Sequence, residues 1–310
     1  MGDDAPDEEL LALARDGMSA NLNLIQSFHA EVTEFESQLA VEEDGTSTTR
    51  QHKRYRDIVF DGGKCRQKVQ VQVLDEKGSW RQQYEKAMSY DGIQTRTFVP
   101  SRKIGIIEAG DALQFPPARD MFCGYRIFHN TKLTDLLANA DNVEIEKQDN
   151  GETLFHLTVP DEEGVFDVWL AAEKGFLISA MKATGADGRL AAERRKTKMT
   201  KVEGAWFITE MEEVIFSHDD ASADQRHHIK AKVKAVNQSV PEATFRLVFP
   251  KPTLVTDRIQ GTQYLISDPP LVKRDSLSSS WKLSTTALVA LNVVIAIVVI
   301  ATFFWRHRKQ

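Results

Sequence analysis

The stretch SFHAEVTEFE, Ser27 to Glu36, decides the fold class because its apolar residues recur at every second position. Phe28, Ala30 and Val32 would face one side of a β-strand, while the polar residues between them would face the other. The apolar side covers either a core packed by the chain itself or a hollow that receives another molecule's apolar chain. The pattern alone is compatible with both.

The same period of two continues through much of the chain. KVQVQVL at 68–74 and HIKAKVKAV at 228–236 alternate apolar and polar residues, and turn sequences such as DGG at Asp61 and DEKGS at Asp75 separate such segments. The pattern predicts a mainly β (α+β) chain whose single curved antiparallel sheet forms an unclosed barrel with capping helices.

Two segments have helical spacing instead. Residues 7–25 repeat apolar residues every three or four positions, with acidic residues in the first turn, and TKLTDLLANA at 131–140 has the same spacing. We expect an amphipathic helix within 1–25 and a second helix laid over a face of the sheet. Residues 26–266 would form the rest of the same domain.

The composition narrows the class of protein. The chain has 310 residues, of which 42% are hydrophobic, and a formal net charge of −6. It can bury a sizeable core, and it has no overall positive field that would attract nucleic acid. Cys65 and Cys123 lack metal-ligand spacing, so zinc is not expected. They either form one disulfide bond or are two buried thiols.

The C-terminal part of the sequence predicts a membrane anchor. Residues 283–305 contain no charged side chain and would form a helix about 35 Å long, enough to cross a hydrocarbon layer of ~30 Å. Residues 267–282, rich in Pro and Ser, would be a flexible stalk, and 306–310 a basic tail. The tail favours a cytoplasmic C-terminus and an extracytoplasmic domain. That topology requires a signal segment, which we expect to be encoded upstream of Met1. The alternative is a tail-anchored protein whose domain lies in the cytoplasm.

Three motifs in the right order resemble the LolA/LolB superfamily of outer-membrane lipoprotein carriers. The first is the helix running into SFHAEVTEFE, the second is YDGIQTRTFVPSRKIGI, and the third is ATFRLVFPKPTLVTDR. The residues that match are Ser27, Phe28, Ala30, Val32, Thr33, Asp91, Gly92, Phe98, Pro100, Phe245, Leu247, Pro250, Val255 and Asp257. Glu34 replaces a common Gln, Lys251 and Pro252 replace an expected Gly, and the second strand region lacks the R-P dipeptide. No cavity arginine can therefore be assigned by the resemblance.

The resemblance implies an unclosed barrel whose hydrophobic cavity receives acyl chains, in an extracytoplasmic protein that is not an enzyme. The candidates for the apolar cavity are the inward residues of the strands: Phe28, Val32, Val69, Val71, Phe98, Phe166, Val168, Phe245 and Leu247. We expect a membrane-anchored envelope protein that holds a lipid or lipoprotein acyl chain, with no cofactor. The alternative is an RseB-like regulatory or scaffold module that binds a membrane protein partner.

Other polar patterns do not predict catalysis or a metal site. His227 and His228 are adjacent, so on a strand they would point to opposite faces and could not chelate one metal together. The basic stretches at 193–201 and 226–234 could form a positive outer face suited to anionic lipid headgroups. We favour a structural role, in which Glu210 and Glu212 pair across strands with Lys198 or Lys232.

Overall fold

The computed structural model describes residues 8–41, 46–110, 133–161, 164–216 and 223–267. The chain divides into two units, Met1–Ser267 and Asp268–Gln310, and all described residues belong to the first. Cys123, the predicted stalk 267–282 apart from Ser267, and the predicted segments 283–305 and 306–310 lie outside the described residues.

The described part of the chain forms fifteen β-strands and two α-helices. Helix α1 is Glu8–Asn23 and α2 is Leu133–Leu137. The strands are β1 Ser27–Val41, β2 Ser47–Asp61, β3 Lys64–Leu74, β4 Trp80–Tyr90, β5 Gln94–Val99, β6 Ile104–Ala109, β7 Asn142–Lys147, β8 Thr153–Asp161, β9 Gly164–Ala171, β10 Leu177–Gly185, β11 Leu190–Val202, β12 Ala205–Phe216, β13 Ala223–Val236, β14 Thr253–Asp257 and β15 Thr262–Ile266.

All fifteen strands belong to one unclosed, curved sheet, as the alternation in the sequence predicts. Its order is β15-β14-β6-β5-β4-β3-β2-β1-β13-β12-β11-β10-β9-β8-β7, so β1 lies at the centre and β15 and β7 are the edges. The pairing is antiparallel except between β6 and β14, which run parallel. The purely antiparallel sheet of the prediction is corrected here, because β14 is reached by a long connection rather than by a hairpin.

The prediction of a membrane-spanning helix is corrected for the part of the chain that the structure describes, which does not include 283–305. Among the residues that the structure describes, no helix is both long and apolar enough to cross a membrane. The longest, α1, has 16 residues and therefore spans about 24 Å, and it carries Glu8, Glu9, Arg15 and Asp16. It is an amphipathic helix of the domain.

Helix α1 packs on one face of the sheet, which we call the inner face. Leu11, Ala14 and Met18, at helical spacing, contribute to the same hydrophobic cluster as Phe28 of β1. This cluster also contains Leu133 and Leu137 of α2. The main core of the described domain therefore lies between the two helices and the inner face.

Candidate functional site

The apolar side chains at the start of β1 are packed by other residues of the same chain. Phe28, Ala30 and Val32 lie on the inner face and are 2%, 1% and 3% exposed. The Phe28 ring stacks on Phe60 at 5.6 Å between centroids and meets Phe207 edge-on at 6.3 Å. Such contacts are those of a packed protein interior. The apolar side of this stretch therefore covers a packed core and not a hollow.

The structure brings only some of the nine predicted cavity residues together. Phe28, Val32 and Val168 belong to the main cluster, and Phe166 packs against it. Val69 and Val71 lie on the inner face of β3, buried and half-buried respectively. The other three are Phe98, Phe245 and Leu247.

Phe98 lies on the opposite, outer face of the sheet. Its cross-strand partner is Ala87, whereas the next residue of β4, Met88, is on the inner face. The Phe98 ring lies 6.2 Å from Phe249, and Leu247 packs against this second cluster. Phe245 is buried at the end of a short 3-10 turn. A cavity shared by all nine residues is therefore not what the structure contains.

Directly after Val32 the inner face of β1 becomes charged. Glu34 accepts hydrogen bonds from Arg54 at 2.8 Å and from Arg56 at 3.1 Å, and His227 lies 3.1 Å from its second oxygen. Glu36 lies 3.7 Å from Arg54. We call Glu34, Glu36, Arg54, Arg56 and His227 the inner charged network. Its acidic and basic groups neutralise one another in a half-buried setting.

The electrostatics of the network follow from burial and pairing. Burial raises the pKa of Glu34, but the hydrogen bond with His227 and the charges of Arg56 and Arg54 outweigh it and bring the pKa from 4.5 to about 2. Burial lowers the pKa of His227, but the hydrogen bond to Glu34 and the nearby carboxylates outweigh it, so this pKa lies above 6.5. Both groups are therefore charged together over a range of mildly acidic pH.

A second ion pair extends the network along the inner face. Glu213 lies opposite His227 in the register of β12 and β13. It accepts hydrogen bonds from Nε and Nη2 of Arg194 at 2.9 and 2.7 Å, and the Arg194 side chain is 5% exposed. Charged residues thus cross the inner face from β2 to β11.

A groove of about 250 Å³ lies at the end of the inner charged network. Its walls include Glu36, His52, Trp80 and His227. Ligand-type atoms of Glu34, Glu36 and His227 lie within 4.8 Å of one another, an arrangement that could hold a metal ion. Because two guanidinium groups already bind Glu34, a divalent cation there would be repelled by both. The geometry fits an ion network better than a metal centre.

The sequence interpretation missed Arg54 and Arg56, which the resemblance could not assign. They lie opposite Glu34 and Val32 in the register of β1 and β2, and Arg56 in turn lies opposite Val69. The sequence contains a signal for this position. Arg54 and Arg56 precede the buried residues Ile58 and Phe60 at intervals of two, so all four side chains lie on the same face of β2. Reading β2 by its apolar end alone would have placed both arginines on the inner face.

The outer face of β11–β13 carries pairs between strands. Glu210 lies 2.5 Å from Lys198, 2.8 Å from His228 and 3.4 Å from Lys230. The expected pairing of Glu210 with Lys198 is confirmed, whereas Lys232 lies opposite Glu31. His228 faces outward and His227 inward, as their adjacency predicts, although both line the groove at the end of the inner charged network.

No protein-family profile and no curated protein matches the sequence. Several solved structures are similar to this chain at low identity. A DUF1329 family protein from Desulfovibrio piger is 13% identical, with a TM-score of 0.42 over 78% of this chain and 98% of its own. A LolA superfamily protein from Nitrosomonas europaea is 12% identical, with a TM-score of 0.34 over 76% and 97%.

A third similar structure is a Vibrio parahaemolyticus domain described as an outer membrane lipoprotein-sorting protein. It is 13% identical, with a TM-score of 0.38 over 76% of this chain and 95% of its own. The similar structures therefore include proteins named for the superfamily that the sequence motifs resemble.

Proposed function

We propose that this protein is a LolA-like binding protein of the cell envelope that holds the acyl chain of a lipid or lipoprotein on its inner face. The observation that carries the proposal is the change of chemistry between β3 and β2 on the inner face. Val71 is half-buried, belongs to neither hydrophobic cluster, and lies opposite Arg54 of the inner charged network. A ligand with an apolar chain and a polar end matches such a face.

The strand next to the arginines offers the contact surface for an apolar chain. Val69 and Val71 lie opposite Arg56 and Arg54 on the inner face, and Val71 is half-buried. Each methylene that a ligand removes from water there contributes about 0.8 kcal/mol, so a chain of ordinary length gains enough to be retained. The polar end would then lie near the inner charged network.

The proposal is for binding without catalysis. Glu34 and His227 are described groups of the inner face with shifted pKa values. Each already binds the other and has charged neighbours. A general acid or base has to exchange its proton near the working pH. A carboxyl group with a pKa of about 2, bound by two arginines, is poorly suited to that role.

The test is the lipid content of the purified protein. Protein incubated with an envelope lipid extract and re-purified should carry acyl-chain lipid in native mass spectrometry. Val71→Glu puts a charge on the inner face and should abolish retention. Gln70→Glu adds the same charge one position away, on the outer face, and should retain lipid as the unmodified protein does. Empty unmodified protein in repeated preparations would overturn the proposal.

A second candidate function is that of an RseB-like module that binds a partner protein. The observation that favours it is the edge strand β15, which among the described strands is paired on one side only. Its sequence TQYLI contains no charge, and Tyr264 and Leu265 are 39% and 42% exposed. Uncharged edge strands are templates for strand addition. Leu265→Lys should weaken a partner complex detected by crosslinking and leave lipid retention unchanged.

A further inference from the structure

The outer face of β11–β13 has an excess of positive charge on a chain whose net charge is −6. Six basic side chains of this face lie around three acidic ones, Glu31, Glu210 and Glu212, and Arg195 forms a further, neutral pair with Glu193 at 2.6 Å. We call these six the basic patch: Lys196, Lys198, Arg226, Lys230, Lys232 and Lys234. The acids are neutralised and three positive charges remain.

The excess is accessible to a partner. The side chains of Lys196 and Lys198 are 70% and 71% exposed, and those of Arg226 and Lys230 are 56% and 55% exposed. A groove of about 590 Å³ lies between Lys196, Lys198 and the strand that follows. Side chains this exposed lose little hydration when they stay at a wet, charged boundary.

An aromatic residue borders the patch. Phe35 lies opposite His228 on the outer face of β1 and is 38% exposed. The ammonium group of Lys53 lies over its ring, 4.9 Å from the centroid. That face of the ring is therefore occupied, which disfavours stacking of a nucleic-acid base. Aromatic side chains are enriched in the interfacial region of a bilayer, and basic side chains are attracted to anionic headgroups.

We propose that the basic patch is a docking surface for a bilayer that contains anionic lipids. Cationic side chains near such a surface are attracted by its negative potential, and the attraction falls off within a Debye length. The patch binds headgroups from the outside of the sheet. It is independent of the acyl-chain function, which depends on the inner face.

The experiment measures binding of the full chain to vesicles of phosphatidylcholine alone and to vesicles of equal parts phosphatidylcholine and phosphatidylglycerol. The difference in binding between the two kinds of vesicle measures the part of the binding that depends on lipid charge. It should be large at low ionic strength and small at high salt. The double variant Lys230→Gln/Lys232→Gln should lower it about tenfold or more. The control Lys77→Gln/Lys147→Gln removes the same charge from exposed sites elsewhere and should leave it unchanged.

A gain-of-function variant separates docking from loss of folding. Glu31 is 54% exposed and pairs with Lys234 at 2.8 Å. Glu31→Gln removes one of the three acids and should strengthen binding to the anionic vesicles severalfold. Equal binding by the patch variant and its control would overturn the proposal, as would a patch that binds single-stranded RNA but neither kind of vesicle.

Acetylation of lysines gives a second measurement that does not depend on how the rest of the chain associates with vesicles. Anionic vesicles should protect Lys196, Lys198, Lys230 and Lys232 from the reagent, while neutral vesicles should not. Lys77 should react equally with both. Protection that is the same in both vesicles, or that is absent from the patch, would contradict the proposal.

Discussion

Glu34 and Glu31 are carboxylates three residues apart on one strand, and the sheet places them in opposite situations. The Glu34 side chain is 9% exposed and is held by two arginines and a histidine, whereas Glu31 is 54% exposed, pairs with Lys234 and lies opposite Lys232. Charges on the inner face are matched and half-buried, and those on the outer face are exposed and in positive excess. Removing one partner of the first arrangement would leave a half-buried charge unpaired, whereas the second arrangement leaves charge for a partner.

The largest expected effect concerns the apolar start of the same strand. Phe28→Ala should lower the free energy of unfolding by about 4 kcal/mol, because it removes a ring packed against two others. Phe35→Ala, on the outer face, should cost less than about 1 kcal/mol. Denaturant unfolding measures both. Equal costs would mean that the inner face is hollow around Phe28.

The next effect compares the two carboxylates. Glu34→Gln should cost about 3 kcal/mol, since it leaves Arg54 and Arg56 without their counter-charge in a setting where they are 30% and 20% exposed. Glu31→Gln should change stability by less than about 0.5 kcal/mol. Denaturant unfolding measures both stability costs. A cost for Glu34→Gln as small as that for Glu31→Gln would show that solvent screens the inner network.

The sequence predicts the sheet well and the inner face only in part. Alternation over Phe28, Ala30 and Val32 identifies the strand and its buried side, because side-chain parity is local. It cannot show that Phe98 belongs to the other face, since that depends on which residue of β4 lies opposite. Nor does it show that Arg54 meets Glu34, because a pair between strands exists only in one register. The face on which a side chain lies can be predicted from one segment, whereas its partner on the neighbouring strand cannot.

The smallest expected effect is a dependence of stability on pH to which the inner charged network contributes through His227 and Glu34. The pKa of His227 is raised above 6.5 in the folded protein, so the stability that it contributes is present below pH 6.5 and is lost as pH rises through the folded value. The pKa of Glu34 is lowered to about 2, so its contribution is present above pH 4.5 and is lost as pH falls toward 2. The network should therefore stabilise most between pH 4.5 and 6.5.

His227→Gln and His228→Gln turn this into a comparison of the two faces. Both substitutions keep a hydrogen-bond donor, but only the first removes a titrating group from the inner charged network. With His227→Gln the melting temperature should fall less between mildly acidic and mildly alkaline pH than it does in the unmodified protein, by an amount equivalent to about 1 kcal/mol. His228→Gln should change the slope less, because the His228 side chain is 42% exposed and water screens its contact with Glu210. A slope that changes equally in both variants would mean that His227 titrates like a solvated surface histidine, and the matching of charges on the inner face would then not be what distinguishes it from the outer face.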